Sequence, residues 1–188
     1  LWIAGILLAF LFIVGCRGGE KKGGVSVTIE PLRFFVDHLT SEQVEVNVMV
    51  PMGASPQTYS PTSKQLAGVS SAGLYVQVGE LGFEKAWMEK ILGFNEEMEV
   101  LNLSKNVELI GGSDHGHDGH SHAEGKDPHI WMSPKVVKNF LPPLRDALKK
   151  TFPDQSDVID QNYAELYDDV ESLDRKFSLL PDKLSQKK

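Results

Sequence analysis

The chain is poor in the residues that several classes of protein depend on. It contains one cysteine, Cys16, in 188 residues, so it has no disulfide framework within the chain. The formal net charge is −7, and no cluster of lysine and arginine is interleaved with aromatic residues. Nucleic acid is therefore excluded as an expected partner. The chain also lacks a His-Glu-x-x-His sequence, the helix on which many zinc hydrolases hold metal and general base. We therefore expect a protein that is not an enzyme.

Long apolar runs are also absent, except at the beginning of the chain. Residues 1–15 are apolar throughout and end at Cys16. This run has the length of a signal-peptide core and is too short for a spanning helix. Its last residues, Ile-Val-Gly-Cys, resemble a bacterial lipobox, which is cleaved before a cysteine that is then acylated. We therefore predict a lipoprotein signal segment at residues 1–16 and a polar tether at 17–24. A short hydrophobic anchor with a buried cysteine is the alternative.

From Val25 onward, strand-like and helix-like patterns alternate. Strands are predicted at 25–29, 44–50, 74–79 and 100–103, and helices at 31–39, 62–72, 83–92, 134–148 and 154–180. Repeated β-α units predict a parallel sheet flanked by helices, with ligands beside the carboxyl ends of the strands. We expect an α/β lobe at 25–152 and a long connecting helix at 153–188. Pro142 and Pro143 are expected to kink or split the helix that begins at Pro134.

A turn-rich loop, PMGASPQTYSPT, follows the second predicted strand at residues 51–62. Thr62 with Gln65 three residues later predicts a capping box at the next helix. A second long loop, residues 113–126, follows the fourth strand. Because parallel strands end at one edge of a sheet, we expect these two loops to meet there.

The loop at residues 113–126 is rich in histidine. Five of the six histidines of the chain lie between residues 113 and 134, and four of them are interleaved with acidic residues and glycine: His115, His117, His120 and His122. This composition predicts a mobile, exposed loop. Imidazole and carboxylate are good donors for zinc, and closely spaced histidines chelate it without a preformed pocket. A polar loop with no role in metal binding is the alternative.

The segment after this loop, DPHIWMSP at residues 127–134, has a more ordered pattern. The Asp-Pro step favours extended backbone, and the Ser-Pro step predicts an N-cap and a helix start at its proline. His129 is therefore expected on a short rigid turn, anchored to the core by Ile130, Trp131 and Met132. Such a histidine is a stronger ligand candidate than those of the loop, although a purely structural histidine remains the alternative.

Residues 25–180 resemble the metal receptors of bacterial ABC importers, the cluster A-I solute-binding proteins, and most closely their zinc-specific members. The resemblance is most specific in DPHIWMSP preceded by an acidic histidine loop. The other matching segments are IEPLRFFVDHL, VPMGASPQTYSPT and GLYVQVG.

The resemblance implies two α/β lobes joined by a rigid long helix, with one metal bound in the cleft between them. It implies a monomeric, lipid-anchored protein outside the cytoplasm that captures zinc (Zn2+) and delivers it to a membrane ABC permease. Manganese (Mn2+) or iron (Fe2+) is the alternative cargo, although both favour more carboxylate and less imidazole. A surface adhesin lipoprotein with incidental metal binding is the second alternative.

The resemblance also implies roles for particular residues. It makes His129 a metal ligand, and it gives the four loop histidines an auxiliary role in gathering or sensing the metal. Gln57 stands where the family usually has its first histidine ligand. Because an amide oxygen is a weaker zinc donor than imidazole, Gln57 either coordinates weakly, leaves its place to water, or yields it to a loop histidine. The remaining family ligands belong to a C-terminal lobe that we expect to be absent from this chain.

Overall fold

The computed structural model describes residues 23–105, 107 and 127–179. The predictions for the signal segment, most of the tether and the histidine loop fall outside these residues. They concern Cys16, His115, His117, His120 and His122, and they remain predictions.

A four-stranded parallel sheet forms the centre of the lobe, as predicted. Its strands lie in the order β2-β1-β3-β4, so β1 pairs on both sides. For example, Val27 of β1 lies beside Val48 of β2 and Val76 of β3. Strand β1 is therefore enclosed by a strand on each side and covered on both faces of the sheet, which agrees with the burial of its residues from Val25 to Ile29. The strands are β1 (Gly23–Ile29), β2 (Val46–Val50), β3 (Ala72–Gln77) and β4 (Glu99–Asn102).

The first strand begins at Gly23, two residues before the predicted start. A side chain at Gly23 would place its Cβ 1.7 Å from the Ser71 carbonyl oxygen, and one at Gly24 would place it 2.0 Å from that of Glu45. Only glycine fits so close to neighbouring backbone. The two glycines that suggested a flexible tether are therefore part of the sheet.

The described part of the chain forms five helices, the last of which packs on two of the others. They are α1 (Glu30–Thr40), α2 (Ser63–Ser71), α3 (Gly82–Phe94), α4 (Pro134–Thr151) and α5 (Ser156–Ser178), with short 3-10 turns at Ile130–Met132 and Pro153–Gln155. The predicted capping box of α2 is confirmed. Gln65 donates its backbone N–H to the Thr62 hydroxyl at 3.3 Å, and the Gln65 side chain accepts from the Thr62 N–H at 2.8 Å.

Helix α4 continues through Pro142 and Pro143 without a break, so of the two expected outcomes, a kink or a split, the split is excluded. Each proline in a helix interior costs about 3 kcal/mol or more. Four apolar side chains that are almost fully buried lie on both sides of the prolines, and each contributes roughly 1.5–3 kcal/mol. Their packing outweighs the two prolines. These side chains are Phe140, Leu141, Leu144 and Leu148.

Helix α5 is the long C-terminal helix that the pattern predicted. Its 23 residues correspond to about 35 Å at 1.5 Å per residue. Ile159 and Leu166 are buried against the lobe. The Asn162 amide donates to the Leu39 carbonyl oxygen at 3.1 Å and to the Ser41 hydroxyl at 2.9 Å, which ties α5 to the end of α1. No helix in the described part of the chain is both long and apolar enough to cross a bilayer.

Candidate metal centre

The two loops that the sequence singled out start from the same edge of the sheet. Strand β2 ends at Val50 and leads into residues 51–62, and β3 ends at Gln77 and leads into the turn before α3. Strand β4 ends at the same edge, because all four strands are parallel. The Gln57 loop and the chain leading to His129 therefore begin at the same carboxyl edge, as expected, but at its two ends, because β1 and β3 lie between β2 and β4.

His129 is held by the carboxylate two residues before it. The Asp127 Oδ1 atom lies 2.6 Å from the His129 ring Nδ1 and accepts the His129 backbone N–H at 3.0 Å. Because an ionised carboxylate only accepts, Nδ1 carries a proton, and in the neutral imidazole the lone pair then lies on Nε2. These bonds from the His129 backbone and ring also lower the pKa of Asp127. The His129 side chain is 56% exposed, so Nε2 is available to a ligand.

The turn that carries His129 is anchored on one side only. Ile130 is buried, and its N–H donates to the Pro128 carbonyl oxygen at 2.8 Å. Trp131 is partly buried, with its ring centroid 5.2 Å from that of His129. Met132 is 72% exposed, so the prediction that it anchors the turn is wrong. A 3-10 turn has three residues per turn, so three consecutive side chains cannot all face the core.

Gln57 lies exposed in the loop that follows β2. Its side-chain oxygen accepts a hydrogen bond from the Ser55 hydroxyl at 2.9 Å. The Thr58 and Tyr59 N–H groups both donate to the Ser55 carbonyl oxygen, at 3.2 and 3.0 Å. The loop is therefore folded by hydrogen bonds between uncharged groups. The Gln57 side-chain oxygen, the candidate metal donor, already accepts one of them.

Gln65 joins this loop to the sheet, a role that the capping box alone did not indicate. Its side-chain NH2 donates to the carbonyl oxygens of Val48 and Met49 in β2, at 2.9 and 3.1 Å. Its oxygen accepts from the Tyr59 hydroxyl at 3.0 Å as well as from Thr62. One amide thus fixes the end of β2, the start of α2 and the loop between them.

Sequence reasoning also missed Glu84, a buried carboxylate at the exit of β3. Glu84 is 3% exposed. Its carboxylate accepts hydrogen bonds from the N–H groups of Val78, Gly79 and Leu81 at 2.7, 2.7 and 3.1 Å. Burial raises the pKa of Glu84, although the Thr28 hydroxyl and these backbone bonds favour the ionised form. The only signal was a glutamate at the second position of the predicted helix 83–92, which is the third residue of the observed α3, and Leu81 is not a residue that suggests capping.

His38 is exposed near the end of α1. Its ring lies 5.8 Å from that of Phe34. Both line an apolar groove of about 320 Å³ between α1, α5 and the turn that carries Trp131 and Met132.

This lobe contributes a small set of donors. In the ranges 23–105 and 127–179, no three His, Cys, Asp or Glu side chains come together in a way that could hold a metal ion. The described donors are the His129 imidazole, backed by Asp127, and the Gln57 amide in the other loop. A parallel α/β lobe with candidate donors in loops that follow its strands, and with a long C-terminal helix packed against it, defines the class of the protein: one lobe of a solute-binding receptor.

Comparisons with known proteins identify the family within this class. The family model described as "Zinc-uptake complex component A periplasmic" matches residues 25–188. The zinc-binding lipoprotein AdcA of Streptococcus pneumoniae (strain ATCC BAA-255 / R6) is 26% identical over 183 residues, which cover 91% of this chain and 36% of AdcA. The high-affinity zinc uptake system protein ZnuA of Bacillus subtilis (strain 168) is 26% identical over an alignment 201 residues long, which covers 97% of this chain and 61% of ZnuA.

A solved structure shows the same fold. A crystal structure of ZnuA superposes with a TM-score of 0.70 at 30% identity, over 82% of this chain and 58% of that one. The chain belongs to the family of the periplasmic component A of zinc-uptake complexes, the cluster A-I solute-binding proteins. It spans about a third to three-fifths of the length of the relatives it matches.

Proposed function

We propose that this chain is the metal-capturing lobe of a receptor outside the cytoplasm that binds zinc and delivers it to an ABC permease. The observation that carries this proposal is the His129 imidazole, whose Nδ1 proton is held by Asp127 at 2.6 Å while Nε2 stays free. Metal-binding histidines commonly donate their other ring N–H to a carboxylate in this way. Membership of a zinc-uptake family supports the same role. The protein performs capture and release without catalysis.

In this proposal the lobe supplies part of the zinc coordination. His129 gives a nitrogen donor, and Gln57 gives a neutral oxygen donor once its bond from Ser55 is released. The remaining donors come from a second lobe, which fits the greater length of the relatives. Zinc accepts tetrahedral sets of nitrogen and oxygen donors. A site with one weak oxygen donor exchanges zinc more readily than an all-histidine site, and uptake requires such release.

The segments outside the described residues have auxiliary roles in this proposal. The loop histidines collect zinc at lower affinity and raise its concentration beside the cleft, and these are His115, His117, His120 and His122. Acylation of Cys16 holds the receptor at a bacterial membrane, where several acyl chains give stable anchoring. The tether then lets the lobe reach the permease.

A zinc titration against a chromophoric chelator tests the proposal. The wild-type chain is compared with His129→Ala and with a deletion of residues 114–124. His38→Ala is the matched control, since it removes an exposed histidine of the described lobe from a different helix. We expect His129→Ala to weaken the tightest site by more than about 100-fold, beyond the loss for a residue that only orients a ligand. The deletion should remove only weaker sites.

Two results would contradict the proposal. In the first, the deletion alone abolishes binding and His129→Ala behaves like His38→Ala, so the loop is the chelator. In the second, zinc-dependent turnover of an ester or peptide depends on His129, so the chain is an enzyme.

A manganese or iron receptor is the second candidate, because Gln57 replaces an imidazole with an oxygen donor. Oxygen donors suit manganese better than imidazole does. Competition distinguishes the two cargoes: zinc bound at the His129 site should resist a large excess of Mn2+ under reducing conditions. Displacement by equimolar Mn2+ or Fe2+ would favour the second candidate.

A further inference from the structure

Glu84 holds a turn whose backbone has few other partners. Residues 78–81 leave β3 and enter α3, so their N–H groups lie beyond the last strand bonds and before the first helix bonds. The Glu84 carboxylate accepts three of these groups, with both oxygens engaged. Buried N–H groups need such partners, and bonds to a carboxylate are stronger than neutral ones. Gly79 adopts φ +110 here, a conformation that glycine tolerates best.

The turn is in contact with the loop that carries Gln57. A Cβ built on Gly82, the first residue of α3, would lie 3.4 Å from the Cα of Gln57, 3.6 Å from its Cγ and 3.7 Å from the Pro56 carbonyl oxygen. The Phe83 ring lies with its centroid 6.4 Å from that of Tyr59. The start of α3 is therefore the surface on which residue 57 rests.

A second contact supports the loop from the opposite direction. Gln65 holds the part of the loop near Tyr59 and Thr62 to β2. It makes no contact with residues 78–82 through its hydrogen bonds, which all go to β2, the loop and α2. Residue 57 thus lies on the side of the loop that faces the turn held by Glu84. The contact between residue 57 and Gly82 is therefore separate from the hydrogen bonds of Gln65.

We propose that Glu84 is a positioning residue for the metal site: by fixing the turn after β3, it sets where the side chain at position 57 stands relative to the metal. Glu84 does not touch the metal, and its effect passes through Gly82 to Gln57. This inference rests on the proposed function, because it takes position 57 to face bound zinc. It goes further by assigning a role to a buried carboxylate that is remote in sequence from both loops.

A double-mutant cycle with Gln57→His tests the coupling. Zinc affinity of the full chain is measured for the wild type, Gln57→His, Glu84→Gln and the double variant, each at a temperature well below its own unfolding midpoint. An imidazole at position 57 should strengthen zinc binding about tenfold. In the Glu84→Gln background this gain should fall to about twofold or less, since contacting groups are not additive.

Two variants at Gly82 make the test independent of the fold of Glu84→Gln. Gly82→Ala places its Cβ at ordinary contact distance from Gln57. The gain of about tenfold in zinc affinity from Gln57→His should therefore remain. Gly82→Leu presses on Gln57 and leaves the Glu84 bonds in place, so it should lose the gain. If Glu84→Gln does not fold, the matched pair still tests the step from Gly82 to residue 57, and a full gain in Gly82→Leu overturns the inference.

The outcomes separate this inference from the proposed function. A full gain in the Glu84→Gln and Gly82→Leu backgrounds, with only a lower unfolding temperature, gives Glu84 a purely structural role and overturns the inference. No gain from Gln57→His in the wild-type background also overturns it, because position 57 then does not face the metal. In both cases the proposed function stands if His129→Ala removes the tightest zinc site, and it fails if His129→Ala has no effect.

Discussion

The two loops that follow the outer strands of the sheet each hold a candidate metal donor, but they hold it with different chemistry. Residues 127–133 present an imidazole whose orientation depends on a carboxylate. Residues 51–62 present an amide, and neutral hydrogen bonds to Gln65 and Ser55 fold them. The comparison teaches that the shape of a binding edge and the strength of its donors are separable. The second loop is held in shape by its own hydrogen bonds, although the amide at position 57 is a weak donor for zinc.

The largest effect that would break this comparison is expected at Asp127. Asp127→Ala removes the acceptor of the His129 Nδ1 proton, so the ring loses its fixed orientation and tautomer. Zinc affinity should fall by about 10–100-fold, the usual loss when the partner of a ligand is removed. The measurement is a competition titration with a chelator. Ser55→Ala, which removes the corresponding partner of Gln57, is the control and should change the affinity much less.

Gln57→His makes the two loops chemically alike. Because imidazole suits zinc better than manganese, the ratio of zinc affinity to manganese affinity should rise by about tenfold. Parallel titrations with the two metals measure this ratio. Gln57→Asn, which keeps an amide at the same position, should leave the ratio unchanged. A rise in manganese affinity equal to that for zinc would contradict the prediction.

The helix starts in the two loops allow a sharper comparison of stability. Thr62 caps α2 through its hydroxyl, whereas Ser133 precedes α4 without a side-chain cap bond. Thr62→Ala should therefore lower the free energy of unfolding by about 1 kcal/mol. Ser133→Ala should change it by only a few tenths, about 0.3 kcal/mol. Denaturant unfolding of both variants checks this, and equal losses would show that the Thr62 bond adds no stability.

The smallest effect concerns pH and Glu84. Burial raises its pKa above the ordinary value of 4.5, so the folded chain holds this proton more tightly than the unfolded chain. The resulting stability is fully present below pH 4.5 and is lost as the pH rises through the folded-state pKa.

The unfolding temperature of the wild type relative to Glu84→Gln should therefore fall between pH 4.5 and neutral pH. Glu84→Gln does not titrate at this position, so groups that titrate in both chains cancel in the difference. Thermal unfolding scans of the two chains in matched buffers measure it. A difference that grows with pH would show that the three N–H bonds outweigh burial.

Much of the fold could be predicted because its signals are local. Alternating valines indicated the strands, the Thr62 and Gln65 pair indicated a helix start, and the β-α order indicated a parallel sheet with both loops at one edge. Local signals misled where packing decides the outcome. Pro142 and Pro143 suggested a break, but apolar residues on both sides of them hold α4 to the core.

The candidate site was predictable only in part. DPHIWMSP indicated His129, but its bond to Asp127 depends on a side-chain orientation that spacing does not give. Glu84 was missed because its partners are backbone groups, which leave no mark on the sequence. The same holds for the five hydrogen bonds of Gln65 to three segments. Met132 was misplaced because the helical period of the turn was not known in advance.

The attachment of α5 has a mechanical consequence. The helix is fixed in its first third by Asn162 and near its far end by an ion pair of 2.7 Å between Lys138 and Asp174. Only about one turn, roughly 6 Å of helix, extends past this second fixed point. Helix α5 is therefore attached to the lobe at two points, and only a very short part of it extends past the second one. The end of the helix at Ser178 is therefore held at a fixed angle to the lobe, and bending in the helix itself adds little angular freedom.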